Sequence, residues 1–411
     1  MTTELNTVTP DDAVIELFSP PQPADPFPLY DVLMETDRVY RSPSLGLWAV
    51  TGYAESAAIL RANTTRNGPR AASTMRPDWA EHEALRMYLN ALITLDPPDH
   101  SRVRGLAGRV FTPAAVRALG PSIERLMRRH LDDMVELAQG GAPVDLITSL
   151  ASPFPVAVIS EMLGVPDEDG MHFYHVANNW SRVWAGGYYS EEDLTRADAA
   201  ALELREYFDG ILDERRRSPR EDLLSTLVRE GDNARLSPEE TMSLATFLFV
   251  AGFETTTSLI SAGLISLLDH PDQLELWRRD ASVTPTAVEE LLRFNTPITA
   301  ASRVMKEDTA LGDQIVPAGN LVVALLAAAN RDPRQFTDPG RLDLTRSEGA
   351  NLAFSAGPHF CMGGNLARLE ASVLFPAFLE RFSSIEVVGT PTRRDAIGLN
   401  GYEELQVVLG T

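Results

Sequence analysis

Three groups of side chains in this 411-residue chain combine reactive chemistry with unusual placement. Cys361, the one cysteine, lies in AFSAGPHFCMGGNLARLE, residues 353–370. Lone cysteines usually behave as small buried hydrophobes, yet this thiol has Gly357, Pro358, His359, Gly363 and Gly364 around it, and glycine permits close approach to something flat or bulky. Glu254 and Thr255 sit in TFLFVAGFETTTSLI, a run apolar on nearly every side. A carboxylate and a hydroxyl there are costly unless partnered, which suggests a polar task in an apolar place. Thr255 is spaced to bond back to the carbonyl of Ala251, and Gly252 makes a widened turn cheap, enough to hold a water or a diatomic ligand. His100 and Arg104 fall at i and i+4 after Asp-Pro-Pro, two basic groups on one helical face that could grip an anion. Glu290 and Arg293, at i and i+3, form a further candidate ion pair. Spacing alone leaves bland readings open for each: an inert thiol, a backbone-satisfied helix pair, and solvated surface charges.

These residues need elements to hold them. Ser237, Pro238 and Glu240 spell a capping box, and the pattern predicts an unbroken helix to Leu268 of roughly 45 to 48 Å, long enough to cross the molecule. A membrane span is disfavoured by Glu254 at mid-helix and by the lack of basic flanks. Residues 1–30 read as a proline-rich extended arm leading into a helix at Pro28–Thr36, followed by a hairpin (39–42 and 47–50), a helix (53–62) and a long loop (63–78). Helical spacing then recurs over 121–140, 146–163, 193–217 and 284–297, with an aromatic cluster (His172, Phe173, Tyr174, Trp180, Trp184, Tyr188, Tyr189) that reads as core or as the wall of an apolar pocket. Short strands at 301–305, 309–311, 314–316 and 321–325 precede an arginine-rich meander, a helix at 366–382 and a final hairpin flanked by 385–388 and 405–408. The expectation is a mainly α protein with a minor β part: an N-terminal arm (1–24) and a single domain (25–411).

Composition narrows the function classes. A net charge of −22 opposes general affinity for nucleic acid or anionic membrane. One cysteine excludes an internal disulfide framework. The acidic N-terminus lacks the basic and apolar regions of a signal peptide. The expectation is a soluble, cytoplasmic, monomeric protein.

Four stretches now stand in one order, and together they resemble the cytochrome P450 superfamily of haem-thiolate monooxygenases. AGFETT (251–256) looks like the family's oxygen-activation motif, and EELLR (289–293) supplies its Glu-x-x-Arg pair. TDPGRLD contains Arg341, matching the arginine that joins Glu290 and Arg293 in the family's buried triad. FSAGPHFCMGG resembles the haem-binding signature, with Phe354, Gly357, His359, Cys361 and Gly363 in place. Two departures are small: Ser355 stands where glycine is commoner, and Met362 where leucine is frequent.

The resemblance implies a single-domain cytochrome P450 fold and haem b as cofactor. Cys361 would be its metal ligand, Ala251, Phe354 and Gly363 would lie against it, and His100, Arg104, Arg303 and His359 would hold its propionates. A thiolate ligand donates electron density that favours O–O cleavage. Thr255 and Glu254 would relay protons, so the implied reaction inserts one oxygen atom of O₂ into a medium-to-large lipophilic molecule, by hydroxylation or epoxidation. By family position Leu92, Phe247, Val250, Ile298, Thr299 and Asn400 border the substrate, together with the segment 71–92. Electrons would come from a ferredoxin and its NAD(P)H-dependent reductase, docking on a basic patch of Arg102, Arg109, Arg331 and Arg368. Oxidative coupling, desaturation and dealkylation on the same scaffold remain alternatives, as does a haem-based sensor, which would not need the Glu254–Thr255 pair.

Overall fold

The computed structural model describes residues 8–68, 70–71, 76–108, 111–185, 189–233 and 235–410, and the side chains of Asp167 and Ala185 are not described. Tyr188, Arg109 and part of the 71–92 segment therefore lie outside the described residues.

The central helix, Pro238–Asp269, is the longest element, 32 residues or about 48 Å. The Ser237 side chain accepts from the Glu240 N–H while the Glu240 carboxylate accepts from the Ser237 N–H, the reciprocal cap expected from sequence. The helix is long and apolar enough to cross a membrane, but most of that apolar window is buried inside the protein. Its N-terminal half, Met242 to Phe253, packs into a core shared with helices Glu83–Leu89, Pro153–Leu163, Asp167–Ser181 and Glu191–Arg217. Its C-terminal half, Leu259 to Leu267, packs into a second core with helices Gly120–Leu137, Thr284–Phe294 and Gly364–Arg381. AGFETT thus lies where the helix passes from one core to the other.

Strand order in the main sheet is Val39–Arg41, Trp48–Val50, Leu321–Leu325, Ala300–Met305, Thr65–Asn67. All pairs are antiparallel except Trp48–Val50 with Leu321–Leu325, which runs parallel. Gln406–Gly410 lies between Val144–Asp145 and Ser384–Val387 in a smaller sheet. The fold is mainly helical with small sheets, as the sequence indicates.

Two expectations need correction. The N-terminal segment is not extended throughout: Thr9 and Asp12 form a capping box for a helix at Pro10–Leu17, whose Ala13, Val14 and Leu17 join a core with Leu33, Leu47 and Val323. Proline density in the flanking text masks this short helix, because proline at its first position begins a helix as readily as it breaks one. The 63–78 stretch is also not loop alone, since Thr65–Asn67 pairs with Arg303–Met305 as the edge of the main sheet.

Candidate active site

The cysteine loop is shaped by backbone constraints. Gly357 has φ +69°, and a Cβ there would lie 2.4 Å from the Leu60 carbonyl oxygen, so only glycine lets the loop seat on helix Tyr53–Arg61. The Cys361 N–H donates to the Phe354 carbonyl at 2.9 Å, and the Gly363 and Gly364 N–H groups hydrogen-bond its sulfur. Burial pushes the thiol pKa up, while the Gly363 N–H, Arg104, Arg368 and the Gly364 N–H oppose it. Cys361 retains accessible surface despite this desolvation. The combination describes a sulfur opening into a cleft inside the protein. Arg104 Nη2 donates to the Phe360 carbonyl at 2.6 Å, and the Arg368 guanidinium lies 4.4 Å from the Phe354 ring.

Four basic residues converge beside that loop. His100 and Arg104 come from helix Asp99–Ala107, Arg303 from strand Ala300–Met305 and His359 from the turn before Cys361. The His100 and His359 rings are 4.1 Å apart, and among the described residues neither ring nitrogen of the buried His100 has a partner. Arg303, 7% exposed, donates to the Ser302 carbonyl at 2.8 Å. Among the described residues neither Arg104 nor Arg303 pairs with an acid. Burial holds Arg303 down at about 10. Burial, helped by Arg303, His100 and Arg104, holds His359 down at about 3. His100 and Arg104 are lowered for the same first reason. Desolvated basic groups facing one another are unfavourable alone and suit a bound anion. A thiol supported by N–H donors next to such a cluster fits haem, a metal centre carrying two carboxylates.

On the central helix, Ala251 and Thr255 are half-buried within an otherwise buried stretch. The Thr255 hydroxyl donates to the Ala251 carbonyl at 3.4 Å, and the helix stays regular through this turn instead of widening. Gly252 serves packing: a Cβ there would lie 2.5 Å from the Ile159 side chain. Glu254, 4% exposed, accepts from Ser181 Oγ at 3.0 Å and pairs with Arg394 Nη2 at 2.6 Å. Arg394 also donates to Asn178 Oδ1 at 3.3 Å. No local spacing announces Ser181, Asn178 or Arg394, since each is distant in sequence. Glu370 is a second unannounced acid. It is 1% exposed and among the described residues has no partner for Oε2; burial raises its pKa well above the ordinary range, opposed by Thr256.

Glu290 and Arg293 form a buried two-point pair, 2.7 Å at both contacts. Arg341 is not its third member. Its side chain is exposed, and it contributes only its carbonyl, which accepts from Arg293 Nη2 at 3.3 Å. Arg346 takes that place, its Nε 3.1 Å from Glu290 Oε1, because the meander turns after Leu344 and directs Arg346 inward.

The expected substrate wall divides. Leu92, Phe247 and Val250 are buried, with Phe247 against Trp184 at 5.5 Å, and Val250 presents no surface to a cleft because the first core encloses it. Ile298, Thr299 and Asn400 are half-buried on a wall joined by the Ile298–Leu399 bridge and by Asn400 N–H to the Pro297 carbonyl at 2.8 Å. The expected docking patch also changes. Arg331 is not a surface cation: it lies between Phe27 and Phe294, 3.3 and 4.2 Å from their ring centres, and burial holds it down at about 10. Arg102 pairs with Glu240 and Asp99, and Arg368 with Glu289.

The cytochrome P450 family model matches residues 66–280 and 278–396. The chain is 38% identical to cytochrome P450 monooxygenase PikC of Streptomyces venezuelae over 375 residues, covering 90% of this chain and 86% of that one. It is 38% identical to 6-deoxyerythronolide B hydroxylase of Saccharopolyspora erythraea over 400 residues, covering 92% and 95%. The structure of P450BioI in complex with an acyl carrier protein ligated to hexadec-9Z-enoic acid superposes with a TM-score of 0.85 at 32% identity, covering 94% of this chain and 98% of that one. With a cysteine loop and cation cluster that fit haem, this chain belongs to the cytochrome P450 family and is a haem-thiolate monooxygenase.

Proposed function

We propose that the enzyme inserts one oxygen atom into a medium-to-large lipophilic molecule of bacterial secondary metabolism, with Thr255 and Glu254 handling the protons. The observation that carries this reading is one helix turn bearing an accessible hydroxyl, Thr255, beside a buried carboxylate, Glu254, tied to Arg394 and Ser181. Bound haem supplies the activation of O₂ and the electron-transfer chemistry. Cys361 would ligate its metal, with the Gly363 and Gly364 N–H groups favouring the thiolate. His100, Arg104, Arg303 and His359 receive the two propionates, which relieve the cost of their mutual burial. Thr255 holds a water with its hydroxyl, and Glu254 passes protons toward it, Arg394 keeping the carboxylate oriented.

Apolar walls around Trp184, Phe247 and Ile298 support a lipophilic substrate. Relatives named for a 6-deoxyerythronolide B hydroxylase and for a complex with a C16 acyl chain support the same class. Electrons come from a ferredoxin reduced by an NAD(P)H-dependent partner, docking beside the cysteine loop, where Phe360 is 43% exposed.

Thr255→Ala tests the proton role. Haem content and substrate-induced spectral shift are expected to persist, while coupling of NAD(P)H oxidation to product falls by at least about ten-fold and peroxide or water accumulates. Unchanged coupling would refute the relay.

A further inference from the structure

Thr299 and Asn400, expected to face the substrate, line a separate cavity of about 430 Å³ between the proline-rich N-terminal segment and the loop preceding strand Tyr402–Glu404. Neither Cys361 nor Ala251 nor Thr255 lines it. Main-chain hydrogen bonds from Thr299 N–H to the Gly398 carbonyl at 2.9 Å and from Asn400 N–H to the Pro297 carbonyl at 2.8 Å tie residues 297–299 to residues 398–400 beside it. The volume lies within the range of small-molecule pockets, about 300–1,000 Å³.

Chemistry is distributed unevenly along its lining. Leu325, Ala327 and Leu399 give it apolar sides, while the rings of Phe27 and Phe294, also in the lining, hold the Arg331 guanidinium between them. Thr299, Arg393 and the buried Tyr30 supply polar groups to its lining. Arg393 has no acidic partner among the described residues. Its Nη2 donates to Asn400 Oδ1 at 2.7 Å, and its guanidinium lies 5.3 Å from the Tyr402 ring centre. The two acids of the lining, Asp25 and Asp395, are exposed and taken up by main-chain N–H groups of Phe27 and Gln22, at 3.1 and 2.9 Å. Asp25 and Asp395 are exposed, whereas Arg393 is half-buried and Tyr30 buried.

We propose that this cavity is a second binding site, for an apolar carboxylate, with the anion on Arg393 and the Tyr30 hydroxyl and the hydrocarbon body along Leu325, Ala327 and Leu399. One guanidinium beside one hydroxyl suits a planar monoanion. A phosphate dianion would call for further cations, and the two exposed acids of the lining would oppose it more strongly than a monoanion.

The test is calorimetric titration of the haem-loaded enzyme with dodecanoate, after the haem cleft has been blocked with a bulky azole. One equivalent is expected to bind. Arg393→Gln is expected to weaken binding at least about ten-fold, the scale of a lost charge-assisted hydrogen bond. Arg393→Lys should fall between the two, and dodecanol should bind the enzyme and Arg393→Gln equally. Absence of dodecanoate binding, several weak equivalents, or affinity unchanged by Arg393→Gln would overturn the site. The reduced carbon monoxide spectrum of each variant reports an intact haem cleft, so failure of this site is distinguishable from failure of the monooxygenase reading.

Discussion

Ser355 adopts φ +61°, the left-handed region, in the loop that presents Cys361, and its buried hydroxyl has no partner. Left-handed backbone costs a non-glycine residue roughly 1–2 kcal/mol, and an unsatisfied buried hydroxyl adds to that. Glycine's greater freedom when unfolded offsets about 0.5–1 kcal/mol. Ser355→Gly is therefore expected to stabilise the protein by about 1 kcal/mol, read as a raised denaturant midpoint. Glu370 offers a second test at this scale. Its folded pKa is raised by burial, so the unfolded chain ionises first as pH climbs through the ordinary glutamate range, and the folded state loses stability until the raised pKa is reached. Glu370→Gln should flatten that decline, which for one proton approaches about 1.4 kcal/mol per pH unit. Equal pH slopes in the two proteins would mean that Glu370 ionises normally.

Contacts between elements decide which charges matter. The arginine-rich meander meets helix Thr284–Phe294 through Arg346, not Arg341. Arg346→Ala should cost about 2–3 kcal/mol by stripping a buried acid of one partner, while Arg341→Ala should stay within about 0.5 kcal/mol. Thermal unfolding of the two variants checks this, and the reverse order would restore the sequence assignment. The loop carrying Arg394 meets the central helix at Glu254. Arg394→Gln is expected to destabilise by about 2–4 kcal/mol, and adding Glu254→Gln should recover part of the loss, because the second change removes the stranded charge. Strictly additive effects would show that the two groups do not interact. These contacts explain what the sequence left hidden. The central helix was legible because its cap and its apolar run are local, and so were the Glu290–Arg293 pair and the strands flanking tight turns. Arg346, Arg394 and Glu370 were not, because their roles arise from long-range packing that no spacing rule encodes.

The molecule as a whole is built around a polar junction between two apolar cores. The central helix joins them, and the half-buried turn at its middle carries Ala251 and Thr255. The overall charge of −22 does not reach this interior, where His100, Arg104, Arg303 and His359 concentrate basic groups. Such an arrangement is costly as bare protein and is rationalised by a carboxylate-bearing, thiolate-ligated cofactor. The most direct measurement is the absorption spectrum of the reduced, carbon monoxide-saturated enzyme beside that of Cys361→Ala. The enzyme is expected to show the red-shifted Soret band of thiolate ligation, and Cys361→Ala to lack it. A protein that takes up no haem, or a band that survives in Cys361→Ala, would contradict the account.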